Sequence, residues 1–223
     1  FTLLPFVLLR IVAYPRIQAD LQEVLIRNLD GIGHKQAELV TNWMHERMKN
    51  ARVIANNPLM IRSTKITEVD KDYPDIVQYL EVAKGEYGYK GVLVCNDSGV
   101  ITVGTAGEAV GADVSQMDYF KQAIQGNTSA SNMIPSEIPL TNELGEKELG
   151  LPTMFVSTPL KDWDGVVIGI VAIRVDVNAL NDLILSLNLG KTGETYLVNK
   201  DGFMLTESRF AAHLKEMGLV KKR

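Results

Sequence analysis

The sequence predicts an α+β fold in which a long N-terminal helix precedes two antiparallel-sheet modules of one type, the second of them incomplete. Three observations predict it. Apolar residues recur at helical spacing from about Ile17 to Asn56. The texture then changes to β-branched runs bounded by turn residues. Finally, the stretch VLVCNDSGVITV at 92–103 is written again, without a gap, as TYLVNKDGFMLT at 195–206, so that Asn96 falls on Asn199 and Gly99 on Gly202.

The first fourteen residues, FTLLPFVLLRIVAY, are almost wholly apolar and carry Arg10. A membrane-spanning helix needs about 20 such residues. Residues 1–14 are therefore expected to be the outer end of a transmembrane helix that begins before Phe1; a buried amphipathic helix or the tail of a signal peptide fits the same residues. Residues 15–57 form the long helix, with Leu21, Leu25, Leu29 and Ile32, then Val40, Trp43, Met44 and Met48, on its apolar stripe. Gln36 interrupts that stripe, and Gly31 and Gly33 weaken the turn near residue 32. Such a helix is far longer than a core requires and reads as a stalk. The NNP at 56–58 stops it.

Residues 58–185 make the first module. The run YPDIVQYLEVAKGEYGYK is a helix opened by Pro74 and closed near Gly85 or Gly88, and GVLVCND, the turn DSG and VITVGT make a hairpin. A helix at SQMDYFKQAIQG follows, with Ser115 as its expected cap, Phe120 and Ile124 on one face and Gly126 at its end. After a polar loop at 134–150, two strands, PTMFVSTPL and VVIGIVAIRVDV, are joined by the turn KDWDG. The long apolar run of the second suits a central strand covered on both faces, and it runs into Arg174 and Asp176. NALNDLILSLNLG is a helix with Asn178 as its expected cap and Gly190 as its stop. Residues 186–223 begin the second module with the repeated hairpin and end partway through it.

Composition sets limits on function. With 46% hydrophobic and 22% charged residues, 223 residues can bury a core. A net charge of −4 and a pI near 5.5 leave no basic footprint for nucleic acid. Cys95 cannot close an internal disulfide, and between Val94 and Asn96 it reads as a small buried residue. His34, His45 and His213 lack metal-ligand spacing. GKTGE at 190–194 has Leu185 where a phosphate-binding loop needs its first glycine, and it lies in the order helix then strand rather than strand then helix. No catalytic constellation is visible, so the chain is expected to be neither an enzyme nor a holder of cofactor or metal.

The order of these motifs, including the NDSG turn, DVSQMDYFKQAIQG, VSTPLKDWDGVVIGIVAIRVDV and GKTGETYLVNKDGFMLTESRF, resembles the double Cache sensor domain of bacterial and archaeal transmembrane receptors. The resemblance covers nearly the whole chain. It implies two PAS-like modules along a stalk helix outside the membrane, a homodimer through that helix, and a small-molecule ligand in the membrane-distal module, here 58–185. It also implies an output through the membrane, with a sensor histidine kinase favoured over a chemotaxis receptor on the run GETYLVNKDGFMLTESRF. Where carboxylate-binding members carry arginine, two residues before the paired aromatics, this chain has Met117, and the first aromatic is Tyr119 rather than tryptophan.

The expected pocket lies between the sheet and the QMDYF helix, lined by alternate strand residues. Its candidate residues are Met117, Tyr119 and Phe120 from the helix region, Ser131 and Met133 after it, and Phe155 and Ser157 from the TMFVSTP strand. Phe120 and Phe155 also suit plain core positions; Tyr119 and Ser157 add a polar tip that could orient a ligand. A module that binds nothing, and serves as a dimerisation spacer or protein-docking unit, is the rival reading that Met117 leaves open.

Overall fold

Tyr14–Ala55 form one helix of 42 residues, α1, in the computed structural model, entered through a π-helical turn at Leu9–Ala13. The structure describes residues 6–7, 9–105, 108–136, 139–141, 146–186, 193–198, 202, 204–206 and 208–219. Residues 1–42 and 43–223 form two compact units. In the first, α1 runs unbroken through Gly31 and Gly33, and its apolar residues Leu21, Leu25 and Leu29 are exposed. Among the described residues no helix is long and apolar enough to cross a membrane. The apolar opening lies partly outside them.

In the second unit, the end of α1 is followed by α2 (Pro58–Ser63), whose first turn is closed by Asn57: its side chain accepts from the Leu59 N–H, and Pro58 fills a position where a missing N–H is harmless. The helix α3 (Tyr73–Tyr87) opens at Pro74 and stops at Gly88, whose φ of 68° is the left-handed cap that glycine adopts without strain.

Strands β1 (Gly91–Asn96) and β2 (Ile101–Gly104) form the expected hairpin. Asn96 builds its turn by accepting from the backbone N–H groups of Ser98 and Val100, and Gly99 supplies a φ of 89°. Gly202, its counterpart in the repeat, has a φ of 84°, and Val198 bridges Met204 across that second turn. Asn199, Gly190 and the rest of the second module from 186 onward lie partly or wholly outside the described residues.

The helix α4 (Asp118–Ile124) begins later than Ser115 suggests. Ser115 is not its cap: it sits in a turn in which its N–H donates to Asp113, and Met117 takes the cap position with no side-chain bond. The polar loop at 134–150 contains three two-residue strands, β4 (Ile134–Pro135), β5 (Leu140–Thr141) and β6 (Lys147–Glu148), after a similar β3 (Ser129–Ala130). These short pairings come from tertiary neighbours rather than from propensity. The two long strands, β7 (Pro152–Lys161) and β8 (Val167–Val175), pair along nearly their whole length. The helix α5 (Val177–Leu185) is capped by Asp176 rather than Asn178, the Asn178 N–H being the donor. Near the end, α6 spans Ala211–Glu216.

The main sheet runs β2-β1-β8-β7-β3, antiparallel throughout, with β4 added beside β7. Strand alternation divides its residues between two cores. Val92, Val94, Val156, Val171 and Ile173 face Ala51 and Ile54 of α1 and Ile76 and Leu80 of α3. Leu93, Cys95, Ile101, Phe155, Ile170 and Ala172 face the other way, against Val114 and the α4 residues Tyr119, Phe120 and Ala123. The central position expected for VVIGIVAIRV is thus observed, with helices on both faces.

Candidate functional site

The face of the sheet under α4 carries most of the candidate residues. Phe155 on β7 points to this face because it alternates with Val156, which belongs to the opposite core. Its ring stacks on that of Tyr119 at a centroid distance of 4.5 Å and an interplanar angle of 24°, an offset-stacked arrangement of the favourable kind. Two residues along β7, the fully buried Ser157 donates its Oγ–H to the Tyr119 carbonyl at 2.7 Å. The strand therefore holds α4 at one point by a hydrogen bond and at another by ring contact.

Phe120 is buried in the same cluster, and Met117 packs at its margin. Ser131 is tied to β7 twice: its N–H donates to the Phe155 carbonyl at 2.8 Å, and its Oγ accepts the Phe155 N–H at 3.0 Å while donating to the Asn132 carbonyl. Met133 is half-buried just before β4 and stands apart from this group among the described contacts. The structure thus brings Met117, Tyr119, Phe120, Ser131, Phe155 and Ser157 together. Tyr119 and Phe155 are only 5% and 6% exposed, so a ligand here would have to part the ring stack or enter beside it.

A charged pair completes this face. Arg174 on β8 is the cross-strand partner of Phe155 on one side and of Gly91 on the other, so its side chain lies beside the aromatic pair. Its Nε–H donates to Oε1 of Glu108 at 2.9 Å, an Nη stands 2.9 Å from the same oxygen as an ion pair, and that Nη donates to the Lys90 carbonyl at 3.0 Å. The Glu108 side chain is fully buried, and its Oε2 has no hydrogen-bond partner among the described residues.

Burial pushes the Glu108 carboxyl above its ordinary range, against the pull of Arg174 and, more weakly, of Lys147 and Lys84. Room for it comes from two glycines: a Cβ on Gly91 would stand 1.9 Å from Glu108 Oε1, and one on Gly104 would stand 2.8 Å from Glu108 Cβ. Cys95, behind the same face, is fully buried, and its thiol is pushed up by desolvation, which makes it an inert packing group. No group of three or more metal-ligating side chains occurs among the described residues.

Sequence reasoning passed over Glu108 and Arg174. Arg174 had a signal, because counting by twos from Ile170 places it on the site face of a central strand where a charge needs a partner. Glu108 had none: it lies 66 residues away in a stretch rich in glycine and alanine.

By sequence alone, no curated protein matches the chain. Among solved structures, the fold is similar to the sensor domain of the V. cholerae histidine kinase DctB, at 11% identity and a TM-score of 0.56, covering 72% of this chain and 59% of that one. The ligand-binding domain of the Pseudomonas fluorescens chemoreceptor CtaA, solved in complex with L-serine, aligns at 18% identity and a TM-score of 0.58 over 85% of this chain and 75% of its own. The sensory domain of the Campylobacter jejuni chemoreceptor Tlp3 gives 15% identity and a TM-score of 0.61 over 88% and 76%. The chain spans well under two thirds of the DctB sensor domain's length. A family model described as Cache domain, of the double Cache type, matches residues 17–221. With that match running over nearly all of its length, the chain belongs to the Cache family of sensor domains.

Proposed function

We propose that this Cache domain is the extracytoplasmic input of a transmembrane receptor, and that it binds a small molecule on the sheet face under α4. One observation carries the placement: an aromatic pair, Tyr119 on Phe155, meets a buried ion pair, Glu108 with Arg174, on one face of one sheet. Ligand pockets characteristically combine apolar walls with a few convergent polar groups. The L-serine complex of CtaA and the GABA complex of the P. aeruginosa amino acid chemoreceptor PctC support small ligands for this fold. The domain is a ligand-binding module, and catalysis, if any, belongs to an output domain.

In this reading residues 58–185 are the membrane-distal module, 186–223 open the membrane-proximal one, and α1 is the stalk. Its exposed Leu21, Leu25 and Leu29 support a parallel homodimer. A sensor histidine kinase is the output we favour, as in DctB, and the chemoreceptors among the similar structures favour chemotaxis as the second reading. To drive such a receptor from 1:99 to 99:1, a ligand must prefer one state by about 5.5 kcal/mol.

A thermal-shift screen of amino acids, organic acids and amines tests the site. A ligand that raises the melting temperature of the wild type, and has no effect on a folded Tyr119→Leu variant, places binding here. Stabilisation that persists in that variant moves the site elsewhere, and silence across the library favours a spacer or docking module.

A further inference from the structure

Arg47, near the end of α1, is a partly buried cation with no counter-ion among the described residues. Its Cζ stands 3.9 Å from the centre of the Trp43 ring, and its Nη1 donates to the Trp43 carbonyl at 3.2 Å. One edge of the guanidinium is thereby committed. The other edge, Nε with Nη2, is the fork that arginine ordinarily offers to a carboxylate. Here Nε is buried and makes no hydrogen bond among the described residues. Such an orphaned donor is uncommon and calls for a cause. The adjacent acid is no partner, because Glu46 is exposed and bonded to Lys49 at 2.7 Å. Burial lowers the pKa of the guanidinium, with Tyr89 and then Glu46 pulling the other way.

A second donor lies one turn along the helix. Asn50, three residues on and so on the same face, donates its amide to the Tyr89 hydroxyl at 2.8 Å. The hydroxyl oxygen is the acceptor in that bond, which leaves its own proton for another group. The Tyr87 ring, 5.7 Å from that of Tyr89 and 40% exposed, adds an apolar wall. Trp43 and Tyr89 belong to the helical core, so this cluster lies behind the sheet from α4.

We propose that Arg47 and Tyr89 form a binding site for the carboxylate of a small organic acid, separate from the site under α4. The fork takes the two carboxylate oxygens side-on, and the Tyr89 hydroxyl donates to one of them. Trp43 holds the guanidinium from its other face, since a stacked arginine is already oriented and loses little freedom on binding. A carboxylate brings both the negative charge and the paired acceptors that Arg47 lacks, whereas a neutral amide brings one acceptor and no charge. Arg47 is only partly buried, so the acid can approach from solvent. An occupied site joins α1 to Tyr89, just before β1 begins at Gly91, and so couples the acid to the packing of the stalk helix against the sheet.

The test uses the full chain and a fixed set of probes: acetate, benzoate and phenylacetate, each paired with its amide, and inorganic phosphate. Calorimetry is run on wild type, Arg47→Met, Arg47→Lys, Tyr89→Phe and Tyr119→Leu. Fluorescence gives a local reading. Trp43 and Trp163 are the two tryptophans, and Trp163 is 79% exposed, so Trp163→Phe leaves Trp43 as the reporter beside the guanidinium. At least one acid should bind and shift the Trp43 emission, while its amide does neither. Arg47→Met should weaken that acid by about tenfold or more, and Tyr89→Phe by about threefold or more, the loss of charged and neutral hydrogen bonds respectively. Arg47→Lys should restore only part, since a point charge lacks the fork, and Tyr119→Leu should change nothing. Should Arg47→Met not fold, the acid and amide pairs on wild type and the Trp43 signal still decide. An acid that binds no better than its amide, or that leaves Trp43 unchanged, overturns the proposal. So does binding that survives Arg47→Met, or phosphate binding tighter than every acid. Acid binding lost in Tyr119→Leu and kept in Arg47→Met overturns it as well, and supports the site under α4. Self-association that disappears in Arg47→Met, with no acid bound, overturns it by giving the fork to a carboxylate of a second copy.

Discussion

Gly91→Ala isolates the buried pair with a single methyl group. A Cβ at residue 91 would lie 1.9 Å from Glu108 Oε1, 2.7 Å from its Cδ and 3.3 Å from Arg174 Nε. Ordinary contact begins near 3.4 Å, so the carboxylate must retreat by roughly 1.5 Å, and both the Nε bond and the Nη ion-pair contact, each 2.9 Å, stretch past hydrogen-bonding range. Removing one member of a buried pair typically costs about 3–5 kcal/mol. Displacement leaves the charge on a side chain that can swing towards water, so the low end, about 3 kcal/mol, is expected. For a chain of this length that is a fall of about 6–12 °C in melting temperature.

The control is the same substitution in a Glu108→Ala background. There the methyl meets no carboxylate, and alanine in a strand is better than glycine by about 0.5–1 kcal/mol, so Gly91→Ala should be neutral or mildly stabilising. A double-mutant cycle by thermal unfolding reads the coupling, expected near 3 kcal/mol. Equal penalties in both backgrounds would refute the argument that Gly91 is glycine for the sake of Glu108.

Gly169→Ala should cost about 3 kcal/mol or more, because the new Cβ falls 2.2 Å from the Cys95 carbonyl oxygen and 3.3 Å from the Asn96 Cα, backbone atoms that cannot swing aside; a variant with wild-type unfolding in urea would contradict the β1–β8 register. Glu108 holds its proton more tightly folded than unfolded, so its contribution is most favourable below its ordinary value near 4.5 and is lost as pH rises towards the raised folded value. Urea stability of the wild type relative to Glu108→Gln should therefore decline as pH rises above 4.5, with Arg174, Lys147 and Lys84 limiting the size of the decline; a rise with pH would mean the ion pair outweighs burial.

Local chemistry made much of the fold legible. The positive φ of Gly99 and Gly202 follows from a turn that needs it, and the sequence carries glycine at the matching position of both stretches for that reason. The two-sided burial of β8 was visible in its unbroken apolar run. Caps were harder, since Asp176 and Asn178 are both good cap residues two positions apart and only the backbone path chooses between them. The strands within 134–150 were invisible because two-residue pairings owe everything to the partner strand. The aromatic and serine candidates came from position along a helix and a strand, both local patterns. The Glu108–Arg174 pair depends on the loop after β2 folding back over two glycines, and no local pattern encodes that return.

The alternation of β1, β7 and β8 between two cores has a mechanical consequence. Val171 leans on the helical side and Ala172 on the site side, so adjacent residues of one strand belong to opposite compartments. The sheet is one peptide thick, set between the α4 core on one face and the last turns of α1 on the other, where Ala51 and Ile54 rest on its back. A ligand that spreads or tightens these strands by a fraction of an ångström displaces both surfaces at once, since a close-packed interior has little compliance to absorb it.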